Sequence, residues 1–231
     1  EAAVGRRRVE AGAGALPPFV LARLWREMIA AFCRVQGPLS VAVCAPQKSV
    51  GYWDIARDHF GSATPMTLHR SPNLVLRAVA EGSVTAGVLP MPEDAEDDPW
   101  WMRLAGSDAS QLRVIARLPF CQNPDGRFED LESLVIARFD IEESGDDQSL
   151  FAVAASAEIS RDSLNVLIAE AGFEGQGLAT QAVSVANAPR HHLIDVAGFV
   201  GNSDPRLAAL GEKIGGTDGP VLRVGGYATP M

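Results

Sequence analysis

Long apolar runs, a cysteine framework and a concentrated basic surface are all missing from this sequence, and each absence closes off a class of function. No stretch approaches the ~18 uninterrupted apolar residues of a membrane-spanning helix, so membrane insertion is not expected. The three cysteines, Cys33, Cys44 and Cys121, are odd in number and widely spaced. They do not make a disulfide framework or a paired metal knuckle, and they are read as reduced thiols. A formal net charge of -9 argues against wrapping nucleic acid, whose phosphates need clustered lysine and arginine. It leaves room for a small anion, because screening confines surface charge effects to about 8 Å at physiological salt and local arginines can still line a cationic pocket. Neither a Gly-x-Ser-x-Gly elbow nor a His-Glu-x-x-His helix occurs, which removes support for hydrolase and zinc-protease readings. The chain opens at Glu1 with no basic, apolar, small-residue leader, so a cytoplasmic location is expected, and the sequence is read as continuing upstream.

What is present is a globular composition: 231 residues, 47% hydrophobic and 21% charged. That length predicts two or three compact units. From Pro17 to Gln36, Leu21, Leu24, Trp25, Met28, Ile29, Phe32 and Val35 recur at three- and four-residue steps between charged residues. This is the pattern of an amphipathic helix, started by Pro17-Pro18 and stopped by Gly37-Pro38. Glu1 to Glu10 is a second helix candidate. Two helices cannot bury such a stripe by themselves, so a further helix or a partner subunit is implied. Beyond Pro38 short β-type runs (Ser40–Cys44, Met66–His69, Ala86–Leu89) alternate with helices (Tyr52–Phe60, Asn73–Glu81), which predicts a parallel α/β unit. Leu112–Phe120 and Leu134–Phe139 add two strand candidates around a polar loop.

The last third reads strand, helix, strand, strand, helix, strand: Phe151–Ala155, Ser160–Ala171, two strands within Gly177–Val200 joined near Asn187-Ala188-Pro189-Arg190, then Asp204–Ile214 and Val221–Tyr227. That order is the ferredoxin-like βαββαβ arrangement. The fold class expected is therefore multi-domain α and α/β, with boundaries at 1–37, 38–145 and 146–231.

The segment "LPPFVLARLWREMIAAFCRVQGP" (16–38) resembles the third helix of the all-helical chorismate mutases, which ends in a glutamine that reaches substrate. Gln36 holds that place, and Glu1 falls near the family's glutamate. Residues 40–94, through "DHFG" and "AGVLP", resemble the first, periplasmic-binding-protein-like lobe of prephenate dehydratases. From Ser149 onward, "SLFAVAAS", "SRDSLNVLIAEAGF", "HHLIDVAGFV" and "YATPM" are similar to ACT regulatory domains. The resemblance implies a chorismate mutase-type isomerase of aromatic amino-acid biosynthesis, turning chorismate to prephenate without cofactor or metal. It implies a dianionic substrate or an amino-acid effector, and a homodimer. The alternative is a non-catalytic protein that binds an amino acid or aromatic acid.

Departures from the pattern bear on each part. Ala137-Arg138-Phe139 stands where dehydratases carry Thr-Arg-Phe, and Pro92-Glu93-Asp94 where a Glu-Asn-Ser follows the proline. The span between Pro90 and Arg138 is too short for a second α/β lobe, since one βαβ unit needs ~30 residues. Dehydratase activity is expected to be absent. The mutases' first helix would lie before Glu1, and their serine four residues before the glutamine is Phe32 here. The Glu-Ser-Arg-Pro effector motif of related ACT domains is not found around 178–183.

Single residues carry a functional and a structural reading. Gln36 either contacts a substrate oxygen or caps its helix. Arg6, Arg7 and Arg8 fan around a helix, so one or two at most can face a pocket and bind a carboxylate. His191 and His192 point to opposite faces of a strand, against joint metal ligation. Gly172, Gly175 and Gly177 lack the strand-to-helix setting of a nucleotide fingerprint. Trp100-Trp101 is read as a core plug in preference to a ligand-stacking pair.

Overall fold

The computed structural model describes residues 2–12, 16–46, 51–105, 112–122, 131–181, 188–215 and 221–231. The chain divides into two compact units, one of residues 1–91, 111–145 and 227–231, the other of 92–110 and 146–226. The N-terminal helical segment and the α/β stretch, expected as separate bodies, thus lie in one unit, and residues 92–110 go with the C-terminal one.

In the first unit α1 (Ala2–Gly12) packs on α2 (Pro18–Gln36). Proline in the first turn of α2 costs no hydrogen bond, and Gly37 ends the helix by donating its N–H to Cys33 O. Three parallel strands follow, β1 (Val41–Cys44), β2 (Met66–His69) and β3 (Ala86–Pro90), linked by α3 (Gly51–Phe60) and α4 (Pro72–Ala80). β4 (Arg113–Leu118) and β5 (Ser133–Ala137) extend the sheet to the order β2-β1-β3-β5-β4. The expected parallel lobe is in fact mixed, because β5 runs antiparallel to both β3 and β4. Two antiparallel strands need no crossover helix, and the stretch before Arg138 has no room for one.

Alternation along β3 builds two cores. Ala86 and Val88 join Val41, Val43 and the α3 residues Tyr52 and Ile55 on one face. Gly87 points to α4 on the other, where a Cβ would stand 2.5 Å from Val75 Cγ1 and 3.0 Å from Val79 Cγ2. Glycine there lets helix and sheet close to contact distance.

The second unit follows the order β6 (Asp147–Ala155), α5 (Arg161–Glu170), β7 (Gly175–Thr180), β8 (Arg190–Ala197), α6 (Pro205–Lys213), β9 (Leu222–Ala228). Its strands lie β9-β6-β8-β7, with β8 antiparallel to both β6 and β7. Phe151, Val153, Ile194 and Val196 bury one sheet face against Leu164 and Ile168 of α5 and Leu207 and Leu210 of α6. Each such side chain contributes roughly 1.5–3 kcal/mol of transfer free energy. Ser160 caps α5 by accepting from Ser163 N, and Asp204 caps α6 by accepting from Arg206 N. A 3-10 turn, Trp100–Leu104, belongs to this unit, with Trp100 2% and Trp101 0% exposed. Both rings are core-filling, as their burial leaves no face for a ligand to stack on. Strand β7 is the edge of this unit's sheet, and its open side is where the polar groups converge.

Candidate functional site

An edge strand presents unpaired N–H and C=O groups that must find partners. Along β7 they find them in α5 and in the segment around Asp94. Gly177 N donates to Asn165 Oδ1 at 2.8 Å. Arg161, the first residue of α5, donates from Nε to Gly177 O at 3.0 Å and from Nη2 to Leu178 O at 3.0 Å. Its remaining Nη1 meets Asp94 Oδ2. The other Asp94 oxygen accepts from Thr180 N at 2.9 Å, and Ala95 N donates to Thr180 O at 2.8 Å. Glu96 then forms a parallel bridge with Gln181, whose Nε2 donates to Asp97 O at 3.4 Å.

The result is a carboxylate held between a guanidinium and a backbone N–H, at the start of a helix whose dipole favours negative charge. Asp94 and Arg161 are half exposed, 51% and 41%, so the pair is open to solvent and to exchange. Behind it Thr180 Oγ1 is hydrogen-bonded to His192 Nδ1 at 2.9 Å. His192 is 1% exposed, and its Nε2 has no hydrogen-bond partner among the described residues. Burial above all, then Arg190, His191 and Arg161, push its pKa down to about 4, with Asp94 pulling the other way.

A neutral buried histidine makes the fold pH-sensitive. Its folded pKa lies below the ordinary 6.5, so the unfolded chain binds the extra proton first. The stabilisation is complete above about pH 6.5 and drains away as pH falls toward about 4. His192→Gln is expected to flatten that limb: in urea unfolding between pH 7.5 and 4.5, the wild-type midpoint falls more steeply than that of the variant. Parallel curves would show that His192 takes no part.

The described residues among those singled out from the sequence, Arg6, Arg7, Arg8 and Gln36, lie in the first unit, each with its own surroundings. Gln36 is the last residue of α2, in a turn exposed from Ala31 onward. Arg6 donates to Thr229 O at 2.9 Å and Ser144 Oγ at 3.4 Å. Arg7 bonds Ala3 O of its own helix, and Arg8 lies over the Trp25 ring, 5.5 Å from its centre. Glu1 falls outside the described residues. The crevice beside α1 and α2, lined by Val9, Ala22, Trp25, Arg26, Ile29 and Phe120, has about 10 Å³ of free volume. That is room for one water and not for a six-carbon ring diacid. Ala137 is fully buried in β5, and Arg138 is exposed beside Gly82. His191 and His192 differ in burial as opposite strand faces require. Among the described residues no group of three or more His, Cys, Asp or Glu could hold a metal ion, and no helix is long and apolar enough to cross a membrane.

Arg161 and Asp94 escaped sequence reasoning. Asp94 registered only as a departure from the dehydratase pattern, and Arg161 only as part of a helix start.

Neither a family model nor a curated protein matches the chain. Solved structures do. The chain is similar to GqqA, described as a novel type of quorum-quenching acylase, at 12% identity and a TM-score of 0.59, over 82% of this chain and 95% of that one. It is similar to a prephenate dehydratase from Streptococcus mutans at 13% identity and a TM-score of 0.50, over 83% and 98%. A third is a prephenate dehydratase from Arthrobacter aurescens in complex with L-Phe, at 12% identity and a TM-score of 0.50, over 84% and 92%. At these identities the likeness concerns the fold: a mixed α/β chain of dehydratase-like architecture.

Proposed function

We propose that this chain is a non-catalytic binding or regulatory protein whose C-terminal unit takes a small carboxylate, an amino acid in the first instance, at the β7–α5 edge. The supporting observation is the pairing of Arg161 and Thr180 N–H around a carboxylate, with His192 and the α5 N-terminus behind it. An α-amino acid would offer that cradle the same two oxygens that Asp94 offers now. L-phenylalanine is the first ligand to try, because the Arthrobacter aurescens dehydratase carries it, and a setting in aromatic amino-acid biosynthesis would follow. An isomerase would need Gln36 and arginines around one cavity that fits a dianion. The exposed Gln36, the scattered contacts of Arg6 to Arg8 and the small crevice give that reading no footing. The dehydratase-like strand pattern carries Ala137 in place of a hydroxyl. The test is twofold: calorimetric titration with L-phenylalanine, expected to saturate at one site per chain, and incubation with chorismate or prephenate, expected to leave both unconsumed.

We assign the homodimer expectation to the outward face of α2. Leu24, Met28, Phe32 and Val35 are 55%, 48%, 61% and 85% exposed, while only Ala30 of that helix is buried. The charged neighbours are engaged at the flanks, Arg23 with Asp58 and Glu27 with Ser62 N. A stripe with no charge on it can meet a second copy of itself without like-charge repulsion. Sedimentation equilibrium should give a dimer that Phe32→Glu converts to a monomer. A monomeric wild type would overturn the assignment.

A further inference from the structure

The residue that fills the carboxylate cradle comes from the same unit, 67 positions earlier in the chain than Arg161. We propose that Asp94 is a tethered occupant: the segment 94–97 closes the β7 edge in the resting protein, and an incoming carboxylate ligand must displace it. This rests on the binding reading above and adds its regulation.

Three features separate a displaceable latch from a permanent edge cover. The Asp94 carboxylate makes both contacts an external carboxylate would make, one to the guanidinium and one to Thr180 N–H. Arg161 does not depend on Asp94 for its position, because Gly177 O and Leu178 O accept from its Nε and Nη2. The cradle therefore persists when Asp94 leaves. Ala95, the next residue, has φ of 62°, a left-handed conformation uncommon for a residue other than glycine. Its N–H bond to Thr180 O holds it there. A half-exposed ion pair is weak, and the segment's other bonds to Thr180 lie at a solvent-facing strand edge, where ligand and water can replace them.

Opening leaves Thr180 N–H and the guanidinium to the ligand and Thr180 O to solvent. An aspartate side chain that competes with ligand lowers apparent affinity by the fraction of time it is seated. Removing its charge while keeping its shape should restore that affinity.

The experiment is calorimetric titration of L-phenylalanine into wild type, Asp94→Asn and Arg161→Lys, with hydrogen exchange at the Ala95 amide in the wild type. Asp94→Asn is expected to bind about two- to fivefold more tightly, the scale of one exposed ion pair. Ligand should speed exchange at Ala95 N–H, a readout that a merely structural Asp94 would not move. Equal affinity of wild type and Asp94→Asn, with unchanged Ala95 exchange and weakened Arg161→Lys, would overturn the latch and leave the binding reading standing. Absence of binding by wild type and Asp94→Asn alike would overturn both.

Discussion

Trp101→Ala is expected to cost about 3–5 kcal/mol, the range for deleting a fully buried aromatic ring. Trp101 is 0% exposed and among the largest fully buried side chains of the described residues. It sits in a short 3-10 turn between buried Trp100 and Leu104, and the surrounding structure can collapse only partly into the space it leaves. Against a typical total of 5–15 kcal/mol this is a large fraction, and the melting temperature should fall by on the order of 10 °C. Trp101→Phe, which keeps most of the ring volume, should recover more than half of the loss. A change under about 1 kcal/mol in the alanine variant, accompanied by loss of ligand binding, would mean that the ring serves a ligand and not the core.

Arg161→Lys is expected to weaken L-phenylalanine binding about ten- to hundredfold. Hydrogen bonds from a charged group contribute roughly 1.5–3 kcal/mol each, and every 1.4 kcal/mol is a factor of ten. Lysine keeps the charge but not the fork, so it cannot hold Gly177 O, Leu178 O and a carboxylate at once. The strand edge should survive in this variant, because Asn165 still accepts from Gly177 N and Ala95 still donates to Thr180 O. Losing the part-exposed bonds to Gly177 O and Leu178 O should lower stability by about 0.5–1.5 kcal/mol, less than the expected loss of binding. Binding and stability therefore separate, and the separation distinguishes a ligand-holding arginine from one that only closes an edge.

Local order was legible in the sequence and long-range chemistry was not. Short apolar runs marked β1 and β3 and the second half of β6, and the Ser160 cap marked α5 to within a residue. The helical stripe of α2 was equally plain, together with the implication that something else must cover it, which fits the exposure of Leu24, Met28, Phe32 and Val35. Strand direction was less accessible: β4 and β5 read as strands, but only tertiary pairing reveals that β5 runs antiparallel to its neighbours. The candidate site was invisible for a physical reason. Asp94 sits in an acidic loop without periodicity and Arg161 on an ordinary helix start, and neither pattern records that a guanidinium meets a carboxylate across the fold. Arg6, Arg7, Arg8 and Gln36 stood out because charge runs and helix ends are conspicuous. Their partners turn out to be Thr229 O, Ala3 O and the Trp25 ring, with Gln36 exposed.

The His192 pair adds a condition on working pH. A buried imidazole held neutral, with Arg161 nearby, leaves the cradle's positive charge on the guanidinium alone at neutral pH. Protonation below about pH 4 would place a buried cation near this half-exposed one, at a cost to the fold.

Calorimetric titration of L-phenylalanine into the wild type and Arg161→Lys at pH 7.5 reaches the central claim most directly. One saturable site per wild-type chain, weakened at least tenfold by the substitution, is the predicted result. Indistinguishable isotherms for the two proteins, or no heat of binding from either, would contradict it.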